Sequence, residues 1–175
     1  AVLEEVKKAE TPEYKIPVIA AGGIYTGADI YHFLQLGAAG VQTGTRFVAT
    51  LECDAAPEFK EAFIKAGKDD LVQIKSPVGL PGRAIGNSFL ERVAAGKTTP
   101  FSCVYHCIKT CDYKKSPYCI AQALINAQKG RLNKGFAFAG QNAYRVQEIV
   151  SVQELFATLL DEFEAARQKA ASALE

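Results

Sequence analysis

The sequence predicts an α/β fold in which parallel strands alternate with helices, and three observations indicate it. Two apolar runs, residues 17–21 and 39–43, each stop at glycine, as a buried parallel strand does where it opens into a loop. One short helix-like segment separates them. The second run begins roughly 22 residues after the first, a compact spacing typical of a βαβ unit with a right-handed crossover.

The glycines after these runs predict a phosphate site. Gly22-Gly23 follows the first strand and Gly44-Thr45 the second, so both turns should lie side by side at the carboxyl edge of the sheet. Glycine lets backbone amides approach an anion closely, and the helix that follows adds its positive end. In a (β/α)8 barrel the loops after strands 7 and 8 form the usual phosphate site. We therefore expect the C-terminal portion of such a barrel; the plainer alternative is that the glycines only make tight turns.

Local signals predict the remaining elements in order. An amphipathic helix over residues 1–10 ends at Thr11-Pro12, and a capping box at Thr26 and Asp29 opens the helix between the two strands. Beyond Phe47 the predicted elements are a helix from Pro57 to Gly67, a strand over 71–74, a loop over 76–82, a helix over about 83–95, a cysteine-rich loop, a helix capped at Ser116-Pro117, a strand-like segment over 134–141 and a helix from Ser151 to about residue 171. Residues 1–56 are thus interpreted as the last βα units of a barrel, and residues 57–175 as a mainly helical extension.

Composition narrows the function classes. The chain has 175 residues, 49% of them hydrophobic, and a net charge of +1. No basic run exceeds two residues, which argues against a nucleic-acid or membrane-surface role. No stretch approaches the roughly 18 apolar residues of a membrane span, and no signal peptide is visible. Reduced thiols in a cytoplasmic protein are the expected state of the five cysteines.

The length predicts an incomplete barrel. A full (β/α)8 barrel needs about 250 residues, whereas this sequence opens directly into helix-like residues and contains no methionine. A half barrel exposes strand edges and an apolar interior. We therefore expect these residues to sit against an N-terminal half-barrel, to form a homo-oligomer, or to cover the edges with the C-terminal segment.

Specific strings resemble a known family. Residues 16–24, residues 36–48 and Glu52 resemble the nitronate monooxygenases, formerly called 2-nitropropane dioxygenases, which include the closely similar flavin-dependent enoyl-ACP reductases. The resemblance continues through residues 59–61, 81–85, 139–141 and 149–152. It implies an FMN-binding TIM barrel with a small-molecule substrate, of which this chain is similar to the C-terminal half.

The resemblance implies particular FMN-binding residues. Gly22 and Gly23 match the phosphate-binding turn after strand 7, and Gln42, Gly44 and Thr45 match the strand 8 segment that holds the FMN phosphate. Gln141, with Gly140, resembles a late segment that returns toward the flavin. The catalytic residue is left unassigned, since the family's catalytic histidine belongs to a Gly-Gly-His segment that this sequence lacks, and His32 and His106 do not match it.

Several functions remain open at this level. The resemblance implies an FMN-dependent oxidoreductase that oxidises alkyl nitronates with O2; an NAD(P)H-dependent enoyl-ACP reductase is the alternative within the family. A different phosphate-binding barrel, such as the IMP dehydrogenase group, shares a Gly-Gly-Ile turn, but the continuation over residues 44–47 argues against it. The alternative outside the enzymes is a non-catalytic fragment that binds a metal or has only a structural role.

The cysteine-rich loop over residues 101–119 is the second candidate site. Cys103, Cys107, Cys111 and Cys119 offer four thiolates that could ligate an iron–sulfur cluster or zinc. Their spacing matches neither the usual zinc pairs nor the ferredoxin run, so ordinary reduced thiols and a redox-active pair stay open. Two further alternatives concern other residues. Arg46 could add charge at the phosphate site or form an ion pair on the exterior. Phe136 and Phe138 are expected in the core, and stacking on the flavin is the alternative.

Overall fold

The computed structural model describes residues 2–104, 106–109 and 111–173, which form an α/β structure with two small sheets. The strands within this part are β1 Ile19–Ala21, β2 Gly40–Gln42, β3 Leu71–Lys75 and β4 Pro81–Ile85. The helices are α1 Val2–Ala9, α2 Gly27–Gln35, α3 Thr45–Val48, α4 Pro57–Lys65, α5 Ser88–Ala94, α6 Ile120–Gln128 and α7 Val152–Ser172. No described helix combines the length and the apolar character needed to cross a lipid bilayer.

The first sheet confirms the predicted βαβ unit. Strands β1 and β2 are parallel, with Ile19 opposite Gly40 and Ala21 opposite Gln42, and α2 connects them. Thr26 caps α2 through a capping box with Asp29, as expected. The sheet is less covered than the apolar pattern suggested, because the Ile19 side chain is 53% exposed in the described structure.

The second sheet corrects the prediction of a helix over residues 83–95. Residues 81–85 instead form β4, which pairs antiparallel with β3, and α5 begins only at Ser88. Its start is set by Asn87, whose side chain accepts a 3.0 Å hydrogen bond from the Leu90 amide, an N-cap that the sequence reading overlooked. Ala84 is fully buried in this sheet, which no exposed helix start would achieve.

The strand-like segment before Gln141 adds to the β3–β4 hairpin. The amide of Ile85 donates to the Ala137 carbonyl at 3.1 Å, and the amide of Ala139 donates to the Arg83 carbonyl at 3.0 Å. Phe138 forms an isolated bridge opposite Ala84. The predicted strand-like segment therefore pairs with β4, although only over residues 137–139.

The capping prediction at Ser116 was wrong. Helix α6 begins at Ile120, and Cys119 is its N-cap residue. The Ser116 hydroxyl is engaged elsewhere, since it donates to the Asp112 carbonyl at 3.0 Å. A serine followed by proline served here as part of a turn, which is the common competing use of this residue pair.

Helix α7 packs across the βαβ unit. Its capping box at Ser151 and Glu154 is the predicted one, and Leu155 and Leu159 are its buried residues. Gly27 at the start of α2 permits close approach, because an added Cβ there would collide with the α7 backbone at Leu159 and Phe163. The rings of Tyr31 and Phe163 meet edge to face at 5.5 Å. The last helix is thereby fixed to the helix that follows the first glycine turn.

Candidate phosphate-binding site

The two predicted glycine turns lie next to each other. Ala21 and Gln42 are paired at the ends of β1 and β2, and Gly22 and Gly44 follow them. Gly22 and Gly23 have φ values of 86° and 75°, a left-handed conformation that favours glycine. The structure thus brings together the turn residues that the sequence assigned to the phosphate.

The turns leave donors and space for an anion. Within the described part of the chain, the backbone amides of Gly44 and Thr45 donate no hydrogen bond. A Cβ added at Gly22 or at Gly44 would meet no atom within 4 Å. Helix α3 has only four residues, so individual amides rather than a helix dipole are the donors at this turn.

A third segment closes one side of the turns. A Cβ added at Gly140 would lie 2.5 Å from the Thr45 hydroxyl oxygen, and one added at Gly23 would lie 2.9 Å from Nε2 of Gln141. The Asn142 side-chain amide donates to the Gly23 carbonyl at 2.8 Å. Asn142 was not among the predicted residues. No spacing in the sequence connects it with Gly23, although its position directly after Gln141 was available as a signal.

A cavity of about 310 Å³ lies between the second glycine turn and residues 138–140. Gly44, Thr45, Phe138 and Gly140 line it. Phe138 was expected in the core together with Phe136. Phe136 is fully buried, but Phe138 is 41% exposed and is among the residues that line this cavity. Gln42 is exposed at the carboxyl end of β2.

Arg46 pairs with helix α7 and with the segment that follows the first glycine turn. Its guanidinium lies 3.6 Å from the Glu162 carboxylate on α7 and donates to the Tyr25 carbonyl at 3.3 Å. The Tyr25 ring lies 5.0 Å from this guanidinium and 4.2 Å from that of Arg145. Burial raises the pKa of Tyr25 even though the two guanidinium charges oppose the shift. Of the two alternatives for Arg46, the outward ion pair is the one observed.

The capping residues hold the first glycine turn against α2. The Asp29 carboxylate accepts hydrogen bonds from the amides of Tyr25 and Thr26 at 2.9 and 2.8 Å. Partial burial opposes ionisation of Asp29, but the hydrogen bonds from Thr26 and Tyr25 outweigh it and lower the pKa of this carboxyl. The cap therefore favours a charged Asp29 beside the amides of Tyr25 and Thr26, at the start of α2.

The cysteine-rich loop forms a separate cavity. Cys103, Cys107, Cys111 and Cys119 are all free thiols and, with His106, line one cavity of about 280 Å³. Cys53 is also free and lies apart from it. Among the described residues, no three histidine, cysteine or acidic side chains are placed to hold a single metal ion. The four predicted cysteines therefore line a common cavity, but in the described structure they do not form a group that could hold a metal ion.

Comparison with known proteins identifies the family. A family model described as nitronate monooxygenase matches residues 1–162. The chain belongs to the nitronate monooxygenase family. A "Probable nitronate monooxygenase" of Staphylococcus aureus (strain JH9) is 39% identical over 79 residues, which make up 45% of this chain and 22% of that protein.

Solved structures agree with this family assignment. FabK from Thermotoga maritima matches with a TM-score of 0.73 and 29% identity, covering 99% of this chain and 51% of that one. Nitroalkane oxidase from Streptomyces ansochromogenes matches with a TM-score of 0.66 and 25% identity, covering 96% of this chain and 44% of that one. The chain therefore spans about half the length of these solved relatives.

Proposed function

We propose that this chain carries the FMN phosphate site of an FMN-dependent oxidoreductase, a nitronate monooxygenase that oxidises alkyl nitronates with O2. The observation that carries the proposal is the pair of glycine turns at the adjacent carboxyl ends of β1 and β2. The proposal also treats β1 and β2 as the last two strands of a (β/α)8 barrel, whose usual phosphate site lies after these strands.

The residues present fit a phosphate group. Gly44 and Thr45 offer amide donors that have no acceptor among the described residues, and Thr45 adds a hydroxyl. The open space at Gly22 and Gly44 is what a bulky anion needs in order to reach the backbone. No carboxylate lines the neighbouring cavity in the described structure. When bound, FMN would supply the acceptance of electrons or hydride.

The task of this chain would be to bind and orient the cofactor. The turns would fix the phosphate, and the segment from Gly140 to Asn142 would restrict where the rest of the cofactor lies. Phe138 offers an apolar ring at the same cavity. His32 is exposed on α2 and His106 lies in the cysteine-rich loop. The proposal therefore assigns cofactor binding to the glycine turns and the segment from Gly140 to Asn142, and it assigns proton abstraction to neither histidine.

Gly44→Ala tests the phosphate site directly. Gly44 has φ −139° and free space around it, so the added methyl group should leave the fold intact while occupying the place of the phosphate. We expect FMN to bind at least tenfold more weakly, which corresponds to about 1.4 kcal/mol. Quenching of flavin fluorescence on titration would measure this, and circular dichroism would check the fold.

Gly67→Ala is the matched control. Gly67 has φ −79°, and a Cβ there would lie 3.4 Å from the Asp70 carboxylate, in ordinary contact. Its FMN affinity should equal that of the wild type. Equal affinity of Gly44→Ala and wild type would overturn the assignment of the phosphate site.

The substrate requires a separate assay. A nitronate monooxygenase consumes O2 when an alkyl nitronate is added to the FMN-loaded protein and needs no NAD(P)H. Consumption of NAD(P)H with an enoyl thioester, without turnover of nitronate, would instead support the reductase alternative while leaving the phosphate site intact.

A further inference from the structure

We propose that Asn142 is a positioning residue of the phosphate site, which holds the first glycine turn in the shape that leaves its amides free for the anion. The proposal rests on the proposed function, because it concerns the turn to which the FMN phosphate is assigned. Asn142 reaches this turn through one contact, the 2.8 Å hydrogen bond that its side-chain amide donates to the Gly23 carbonyl. Its role is exerted through Gly23 and needs no contact with the cofactor.

The first glycine turn benefits from an external restraint. Gly22 and Gly23 have φ values of 86° and 75°, and two adjacent glycines can also adopt many other backbone conformations. Holding such a pair in one conformation costs more entropy than holding other residues. A side chain that already fixes the carbonyl of Gly23 removes part of this freedom before any ligand binds.

The bond fixes the whole peptide unit that follows Gly23. The described chain contains no cis peptide bond, and a trans peptide unit is planar, with its carbonyl and its amide hydrogen on opposite sides. By holding the Gly23 carbonyl, Asn142 therefore also sets the direction of the Ile24 amide. The bond consumes no backbone donor of the turn, because its partner there is a carbonyl.

The remaining bonds of the segment leave two donors between fixed points. The Asp29 carboxylate already accepts from the amides of Tyr25 and Thr26 at 2.9 and 2.8 Å. Within the described ranges, the amides of Gly23 and Ile24 donate no hydrogen bond. These two amides thus lie between the capping box on one side and the side-chain bond to Gly23 on the other. Donors that are held in place and have no partner suit the binding of an anion.

Asn142 is itself held by ordered backbone. Ala143, the next residue, is fully buried, and its amide donates to the Gly140 carbonyl at 3.0 Å. The carbonyl of Asn142 accepts from the Arg145 amide at 3.0 Å, at the start of the short 3-10 helix Ala143–Arg145. A side chain on a backbone fixed in this way can hold another segment in place.

The bond from Asn142 should matter more for binding than for folding. It lies at an exposed position, where water can replace either partner, so its contribution to the stability of the fold is small. Its effect on the turn would be seen only when a ligand uses the amides there. Binding of a ligand with a phosphate, compared with one without, therefore distinguishes a positioning role from a structural one.

Titration of Asn142→Ala with FMN and with riboflavin, which lacks the phosphate, is the test. Relative to wild type, we expect about fivefold weaker binding of FMN and a change of less than about twofold for riboflavin. Asn133→Ala is the matched control, because Asn133 also lies in a short 3-10 helix and its side chain forms no hydrogen bond with described residues. It should bind both flavins as the wild type does. Quenching of flavin fluorescence would measure each affinity.

The outcomes separate this proposal from the one on which it rests. Unchanged FMN affinity of Asn142→Ala, with wild type still preferring FMN over riboflavin, would overturn the role of Asn142 and leave the phosphate site standing. Equal losses of FMN and riboflavin affinity would indicate a general role in folding and would also overturn it. A wild type that binds FMN no more tightly than riboflavin would overturn the phosphate site and the role of Asn142 together.

Discussion

The carboxylate of Glu162 accepts a 2.7 Å hydrogen bond from the backbone amide of Gly27, the first residue of α2. The same carboxylate lies 3.6 Å from the guanidinium of Arg46 on α3. Helix α2 follows the first glycine turn and α3 follows the second. One side chain of α7 therefore fixes the two segments that leave the candidate phosphate site.

Glu162→Gln should destabilise the protein by about 1 kcal/mol. The side-chain carbonyl oxygen of the glutamine can still accept the hydrogen bond from the Gly27 amide. The negative charge that strengthens this bond and pairs with Arg46 is lost. Urea denaturation would measure the change. Glu164→Gln is the control, because Glu164 pairs with Arg167 in an exposed site and its removal should cost less than about 0.5 kcal/mol. Equal effects of the two variants would contradict the connecting role of Glu162.

Gly27→Ala should destabilise the protein by about 3 kcal/mol, although alanine normally favours a helix over glycine. The added methyl group would collide with the α7 backbone at Leu159 and Phe163. Thermal unfolding would measure the loss. Gly44→Ala, where the methyl group meets only open space, should leave the midpoint nearly unchanged. A stable Gly27→Ala protein would mean that α7 can move away from α2 at little cost.

Lys60→Met should cost about 2 kcal/mol of unfolding free energy. Lys60 is 8% exposed, and its ammonium donates to the carbonyls of Thr50 and Leu51 at 2.6 and 3.2 Å. Methionine preserves the apolar stem but leaves these carbonyls without that donor. Lys65→Met is the comparison, since Lys65 is largely exposed and should change stability by less than about 0.5 kcal/mol. Chemical denaturation of both variants would decide the matter.

Tyr118 should make the protein less stable in alkali. It is 3% exposed, and burial raises its pKa from 10.0 to about 12. Between these values the unfolded chain releases a proton that the folded chain keeps, so the free energy of unfolding falls as the pH rises. From about pH 9 to about pH 11, the wild type should lose about 1 kcal/mol more than Tyr118→Phe, at about 1.36 kcal/mol per pKa unit.

Denaturant titrations of the wild type and Tyr118→Phe at both pH values would measure this difference. A stability gap between the two proteins that does not change with pH would show that the phenol ionises equally in the folded and unfolded states.

Strong local signals made the βαβ unit predictable. Glycines that end two apolar runs, and the pair Thr26 and Asp29, act over a few residues, so their outcome can be inferred from sequence. The placement of Gly22 and Gly44 side by side followed from the parallel arrangement alone. The capping box at Ser151 was equally reliable.

Long-range contacts account for what the sequence did not reveal. Residues 81–85 form a strand that pairs with the neighbouring β3 and, through Ala84, with the distant Phe138. Gly86 and the N-cap residue Asn87 were local signals that a helix begins only at Ser88. The position of Phe138 at one cavity with Gly44, and the bond from Asn142 to Gly23, both depend on the tertiary fold. Ser116 illustrates the reverse case, in which a local cap signal was used by a turn.

The bond between Asn142 and Gly23 has a consequence for synthesis of the protein, because 119 positions separate these residues. Both glycine bends leave the ribosome long before the segment that encloses them. A growing chain would consequently complete the surroundings of these bends only after Asn142 has emerged. A product that stops before residue 140 would keep both bends but lack the side chains that contact them from the 140–142 segment.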